Sequence, residues 1–177
     1  MSGHGIRTYV CAGAFAVLAE SALAQGAAID ACSYLSRDEV AAVIGVAVDA
    51  GVRDDAGLTR DNAYSSTCLW RISADRDKAD PNRPLGGASF AILNMMSWPD
   101  GAGAKYLQDF RDAGRNHEIA MMPVPVAIGD EALWWGSGVA VLKGNLTIGM
   151  SVHYLPERRR ERAMAETLAK TIADRLP

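Results

Sequence analysis

The chain has 177 residues, 49% of them hydrophobic and 22% charged, with a formal net charge of −3. That length fits one domain with a sizeable core, and the mildly acidic balance argues against a general nucleic-acid binder. Three cysteines and three histidines leave little material for a metal centre.

Met1 to Thr8 is short and carries one arginine, Arg7; Tyr9 to Ala19 is an alanine-rich apolar run; Ser21-Ala22-Leu23-Ala24 supplies small residues at cleavage spacing. This is the pattern of a secretory signal peptide over residues 1–24, removed to leave Gln25 at the mature N-terminus. The apolar run is well short of the ~20 residues that a spanning helix needs, so no stable membrane span is expected after cleavage. No lipobox cysteine directly follows it, which favours a free periplasmic or secreted protein. Cleavage removes Cys11 and leaves Cys32 and Cys68, which in an oxidising compartment are most simply a disulfide.

Residues 25–177 are expected to form a single α+β domain. Ser36 is placed to cap the amide of Glu39 while Glu39 reaches back, Leu35 is placed to staple onto Val40, and Gly45 is suited to a left-handed stop, so a helix is predicted over Arg37 to Ile44. Val46 to Ser65 shows little periodicity and reads as a long surface loop. Strand character returns over Thr67 to Ser73, where Cys68, Trp70 and Ile72 alternate with Leu69, Arg71 and Ser73. The bridge would tie the first helix to the inward face of that strand, beside Trp70.

Ala74 to Gly87, with Pro81 and Pro84, reads as a loop, and Ala88 to Met96 as a strand apolar on both faces. After Pro99-Asp100 a helix is predicted in which Tyr106 and Phe110 lie one turn apart beside Leu107, with Gly114 closing it. Arg115 to Ile128 is an extended or mobile-looking segment. Glu131 to Trp135, Val139 to Lys143 and Leu146 to Tyr154 form a three-stranded meander, separated by Gly136-Ser137-Gly138 and Gly144-Asn145. Pro156 suits a first helical position, and Met164, Leu168, Ile172 and Leu176 repeat down a terminal helix. The expected architecture is an antiparallel sheet of about five strands with a C-terminal meander, flanked by three helices and carrying one disulfide.

Several constellations invite a chemical reading. Asp130 and Glu131 are adjacent carboxylates suited in principle to acid–base work, and with His153 they define a hydrolase alternative of unknown substrate. Strand alternation, however, sends neighbours to opposite faces and favours a turn aspartate followed by a strand-edge glutamate. Ser137 lies in a hairpin turn and lacks the strand-to-helix setting of a nucleophile elbow. His153 and Ser151 share a face with Thr147, a polar spot that reads more readily as structural than as catalytic. Trp98, Trp134, Met95 and the pair Met121-Met122 are candidates to line an adaptable apolar pocket, with core filling as the competing explanation. Arg158-Arg159-Arg160 with Arg162 is the densest basic cluster, set near a helix N-terminus where the dipole opposes it. It reads as a solvated face or as a contact to an anion, a membrane surface or a partner. No phosphate-cradling glycine loop, zinc-protease helix or dinucleotide fingerprint is present, so neither a metal nor another cofactor is expected.

Cys32-Ser33-Tyr34-Leu35-Ser36-Arg37-Asp38-Glu39-Val40, then Gly45, Cys68-Leu69-Trp70 and Pro125-Val126-Ala127-Ile128-Gly129-Asp130-Glu131-Ala132 together resemble a family pattern. It is that of small exported domain-of-unknown-function proteins related to actinobacterial lipoproteins. The resemblance spans nearly all of residues 25–177. It implies a helix-flanked antiparallel sheet, a Cys32–Cys68 bridge and no established enzymatic activity, and it assigns no catalytic residues. The chain departs from that pattern in having no lipidated cysteine. The leading expectation is a non-enzymatic cell-envelope domain that binds a small apolar ligand or an envelope protein partner.

Overall fold

Seven antiparallel strands form one sheet in the order β1-β2-β3-β7-β6-β5-β4. They are β1 (Val52–Leu58), β2 (Tyr64–Arg71), β3 (Phe90–Ser97), β4 (Val124–Val126), β5 (Glu131–Trp134), β6 (Val139–Lys143) and β7 (Leu146–His153). The helices are α1 (Arg37–Ile44), α2 (Gly103–Arg115) and α3 (Glu161–Ala173), with short 3-10 turns at Ala31–Ser33 and Leu155–Arg160. This is a computed structural model describing residues 25–72, 89–99 and 101–177. The predicted leader at 1–24, the loop at 74–87 with Pro81 and Pro84, Ser73, Ala88 and Asp100 lie outside the described residues.

The two sheet faces are covered differently. Cys68 and Trp70 of β2, Ala91, Leu93 and Met95 of β3, Val141 of β6, and Ile148, Met150 and Val152 of β7 point to one face and are buried. Val40 and Ile44 of α1 and Met164, Leu168 and Ile172 of α3 close over them in one cluster. The α3 stripe is the four-residue repeat of the sequence, which keeps one side of a helix apolar. On the opposite face α2 packs against β6 and β7, with Gly103 set against Leu142 and Trp98.

The start of α1 is as its residues dictate. Ser36 and Glu39 form a reciprocal capping box, and Gly45 ends the helix at φ 88°. Leu35 and Val40 are both buried in the core cluster, as a staple requires. Cys32 and Cys68 are joined by a disulfide with Cα atoms 5.0 Å apart, and it anchors the Ala31–Ser33 turn to β2.

The sheet has seven strands where about five are expected, the two additional ones being its edges, and the close of α2 also differs. The segment read as a loop over 46–65 contains β1, whose side chains are almost all exposed and therefore carry no period-two signal. Backbone pairing to β2 holds it, together with Ser66 Oγ donating to Asp55 at 2.6 Å and Arg53 paired with both Asp30 and Asp55. The segment over 115–128 contains the short edge strand β4, with Val124 opposite Trp134 and Val126 opposite Ala132. Gly114 does not close α2. It lies inside the helix, and the left-handed position is His117 at φ 59°. The amides of His117 and Glu118 donate back to the carbonyls of Gly114 and Ala113, the bonding of a Schellman stop.

Candidate functional site

The site grows out of the flank of α2. Tyr106, Phe110 and Ala113 recur at helical spacing on one side of that helix, between its buried stripe of Gly103, Leu107 and Gly114 and the solvent. Strand alternation in β3 turns Trp98, the residue just after it, to the same side of the sheet. Trp98 is anchored there by its indole Nε1, which donates to Thr147 Oγ1 at 2.9 Å with both groups buried. Trp135, at the end of β5, faces the same side because Trp134 faces the other.

The result is a row of rings. Trp98 and Tyr106 have centroids 5.8 Å apart, Tyr106 and Phe110 meet edge-on at 5.1 Å, and Phe110 and Trp135 follow at 5.8 Å. Such tilted and edge-on pairs suit the aromatic quadrupole and make a stiff wall. Three clefts adjoin along it. The first, about 260 Å³, lies among Asn62, Trp98, Lys105, Tyr106 and Asp109. The second, about 350 Å³, shares Tyr106 and Asp109 and continues past Phe110 to Glu118 and Ile119. The third, about 430 Å³, shares Ile119 and ends at Met121, Trp135 and Ser137. Measured along α2 from Ala102 to Ala113, at ~1.5 Å per residue, this groove runs for about 16 Å.

Charged and polar side chains share its lining, Asp61, Asn62, Lys105 and Asp109 at the first cleft and Glu118 at the second. Lys105 pairs with Asp109 one turn on, at 2.7 Å, which raises the lysine pKa. Burial pushes the Tyr106 hydroxyl up, so it stays a protonated donor at neutral pH. Below the tyrosine, Thr67, Asn94 and Gly149 lie in register across β2, β3 and β7. The Asn94 amide donates to Thr67 Oγ1 at 3.0 Å and to Ser65 Oγ at 3.3 Å. A methyl at Gly149 would lie 3.8 Å from the Tyr106 hydroxyl, an ordinary contact distance, which sets the hydroxyl just above this part of the sheet. Apolar walls with a few placed polar groups are the usual make-up of a small-molecule site.

The residues singled out in the sequence do not converge on this groove. Trp98 lines it. Met95 is fully buried in the core on the other face, and Trp134 is there too, with the Arg162 guanidinium 5.5 Å from its ring centroid. His153 is on the groove's face but meets Phe90 in a tilted ring contact at 4.8 Å, at the far end of β7 from Trp98. Ser137 lies on the rim of the third cleft.

Asp130, Glu131 and His153 are likewise apart. Asp130 accepts from the Gly144 amide at 2.7 Å and from Lys143 at 3.3 Å, which holds its carboxyl below the ordinary value. Glu131 pairs with Arg111 of α2. Glu131 is in register with Leu142 and through it with Thr147, and His153 is six residues further along β7. At ~3.3 Å per residue the imidazole stands about 20 Å along the strand from either carboxylate.

Sequence reasoning noted Tyr106 and Phe110 as a helix pair but did not assign them to the site with Trp135. The available signal was an i, i+4 aromatic pair lying between two strand-end tryptophans. Among the described residues no group of three His, Cys, Asp or Glu side chains is close enough to hold a metal ion. Comparison with protein-family models, with curated proteins and with solved structures returned no match to the chain.

Proposed function

We propose that the protein is a non-enzymatic binding domain of the cell envelope that holds a small apolar ligand in the groove along α2. The observation that carries this reading is the unbroken row Trp98, Tyr106, Phe110 and Trp135, which walls three adjoining clefts. Methionine at the open end, Met121, suits a ligand whose shape varies. The separation of His153 from Asp130 and Glu131 gives the hydrolase alternative no shared cleft in which to act.

Export is part of the proposal, with cleavage after Ala24 and a periplasmic or secreted destination. Its supports are the signal pattern in the sequence and the Cys32–Cys68 disulfide, a bond that persists in oxidising compartments. No described helix is long and apolar enough to cross a membrane. Kinship with the small exported domains related to actinobacterial lipoproteins belongs to the same proposal, supported by the bridge and the helix-flanked sheet.

A second reading has its own observation. Met121, Met122 and Val124 are exposed, Met122 at 55%, immediately before and within edge strand β4. An exposed apolar strip on an open strand edge suits a protein partner.

Intact mass spectrometry of the protein recovered from the envelope or medium of producing cells, under native and then denaturing conditions, tests both readings. The expected species begins at Gln25, lacks two hydrogens, and carries a small extra mass that denaturation releases. A reduced chain beginning at Met1 contradicts export. A processed, oxidised chain that carries a second polypeptide and no small molecule contradicts the ligand reading in favour of the partner.

A further inference from the structure

The 3-10 turn Leu155–Arg160 feeds directly into α3, and its last three residues, Arg158, Arg159 and Arg160, are all exposed. Cations at a helix N-terminus are opposed by the helix dipole, so the stability of α3 does not account for three of them. The acids that follow are engaged elsewhere. Glu161 accepts the Tyr154 amide at 2.7 Å, and Glu166 takes the Arg162 guanidinium at 2.7 Å. Among the described residues neither the Arg158 nor the Arg159 side chain makes an ion pair or a hydrogen bond; the Arg158 carbonyl accepts from the Glu161 amide.

The geometry of the turn decides what this charge fits. At three residues per turn, consecutive side chains leave a 3-10 helix about 120° apart. The exposed Arg158 and Arg159 side chains therefore leave the turn in different directions and do not converge as a fork on one phosphate. A splayed cationic corner matches an extended layer of negative charge. Beside Arg160, which lines it, lies a notch of about 180 Å³ walled by Val43, Ala163, Met164 and Thr167. It gives the glycerol-ester zone of a lipid somewhere to rest next to the charges.

We propose that this corner docks the protein on the surface of a bilayer containing anionic phospholipid, with Arg158 and Arg159 as its principal contacts. The chain as a whole is acidic, at −3, so the attraction is local and sets an orientation. The corner belongs to the sheet face covered by α1 and α3. The groove along α2 is on the opposite face and stays open when the corner is seated. The inference therefore stands apart from the ligand reading.

The test is sedimentation of the chain from Gln25, which carries every described element, with vesicles of phosphatidylcholine alone or mixed with phosphatidylglycerol. Binding is expected only to the mixed vesicles, and it should weaken as salt is raised. At about fivefold per arginine, R158Q/R159Q should bind the mixed vesicles roughly 25-fold more weakly. R158K/R159K should bind as the parent does, because a surface reads charge and not the guanidinium fork. Thermal melts identical to the parent's confirm that both variants are folded. Equal binding to the two kinds of vesicle, or undiminished binding by R158Q/R159Q, overturns the proposal. Loss of binding in R158K/R159K, or displacement by millimolar inorganic phosphate, overturns it in favour of a single-anion site.

Discussion

Gly114 sits inside α2, where alanine is ordinarily worth up to ~1 kcal/mol more than glycine to a helix. Here the neighbours reverse the sign. A Cβ at this position would lie 2.4 Å from Pro123 Cδ and 3.3 Å from Met122 Sδ, in the segment that leads to β4. Gly114→Ala should therefore lower stability by about 1–3 kcal/mol in urea denaturation, the usual cost of overpacking. A stabilised variant would show that 121–123 does not rest on α2. A second prediction concerns Glu39. The Arg175 guanidinium, and then the Ser36 amide and hydroxyl, bring its carboxyl down from 4.5 to about 2. Its contribution to stability is complete above pH 4.5 and is lost as pH falls towards 2. Thermal melts across this range should show Glu39→Gln below the parent at neutral pH, with the gap closing near pH 2. A gap of constant size would mean that the charge is not what Arg175 and Ser36 hold. The capping box was legible in the sequence, because it is written in four consecutive residues, Ser36 to Glu39, whereas the Arg175 contact joins distant parts of the chain. The left-handed His117 was not legible, because glycine is the usual residue there and Gly114 drew the prediction three residues early.

At the scale of elements, the sequence showed the strands that bury a face and concealed those that do not. β2, β3, β5, β6 and β7 each place side chains in the core, and their alternation or continuous apolarity could be read directly. β1 and β4 are the two edges. Their order comes from pairing with a neighbour on one side, so side-chain patterning has little to report. β1 is fastened further by the Arg53, Asp30 and Asp55 cluster, and the Asp55 carboxyl is brought down to about 2, chiefly by Arg53. The disulfide bears on the same edge, since it ties the Ala31–Ser33 turn to the strand next to β1. It closes a loop with a sequence separation of 36 residues, for which chain entropy gives about 4 kcal/mol. Replacing both cysteines by serine should remove about that much stability in chemical denaturation and leave the remaining strands paired. A loss under 1 kcal/mol would mean that the unfolded chain is already constrained without the bridge.

At the scale of the whole molecule the sheet separates two tasks. One face is a sealed core under α1 and α3, with Met95 and Trp134 inside it. The other is partly covered by α2, whose aromatic flank walls the groove. From sequence alone Trp98 and Trp134 were equal candidates for a pocket. What separates them is which face of which strand they leave, and for Trp134 that depends on the register of β5 against β6. The groove was legible only in parts because its wall draws on the end of β3 and one flank of α2, which follow one another, and on the end of β5, which comes only after β4. A groove that takes an apolar ligand should also take the uncharged fluorophore N-phenyl-1-naphthylamine, whose emission rises when it leaves water. Ala113 is on the flank of α2 and lines the second cleft, so Ala113→Trp should fill that cleft without entering the core. Saturable enhancement of probe fluorescence is expected with the parent protein, and at least about a tenfold weaker affinity, a loss of ~1.4 kcal/mol, with Ala113→Trp. Equal binding by both proteins, or no binding by the parent, would contradict the ligand reading.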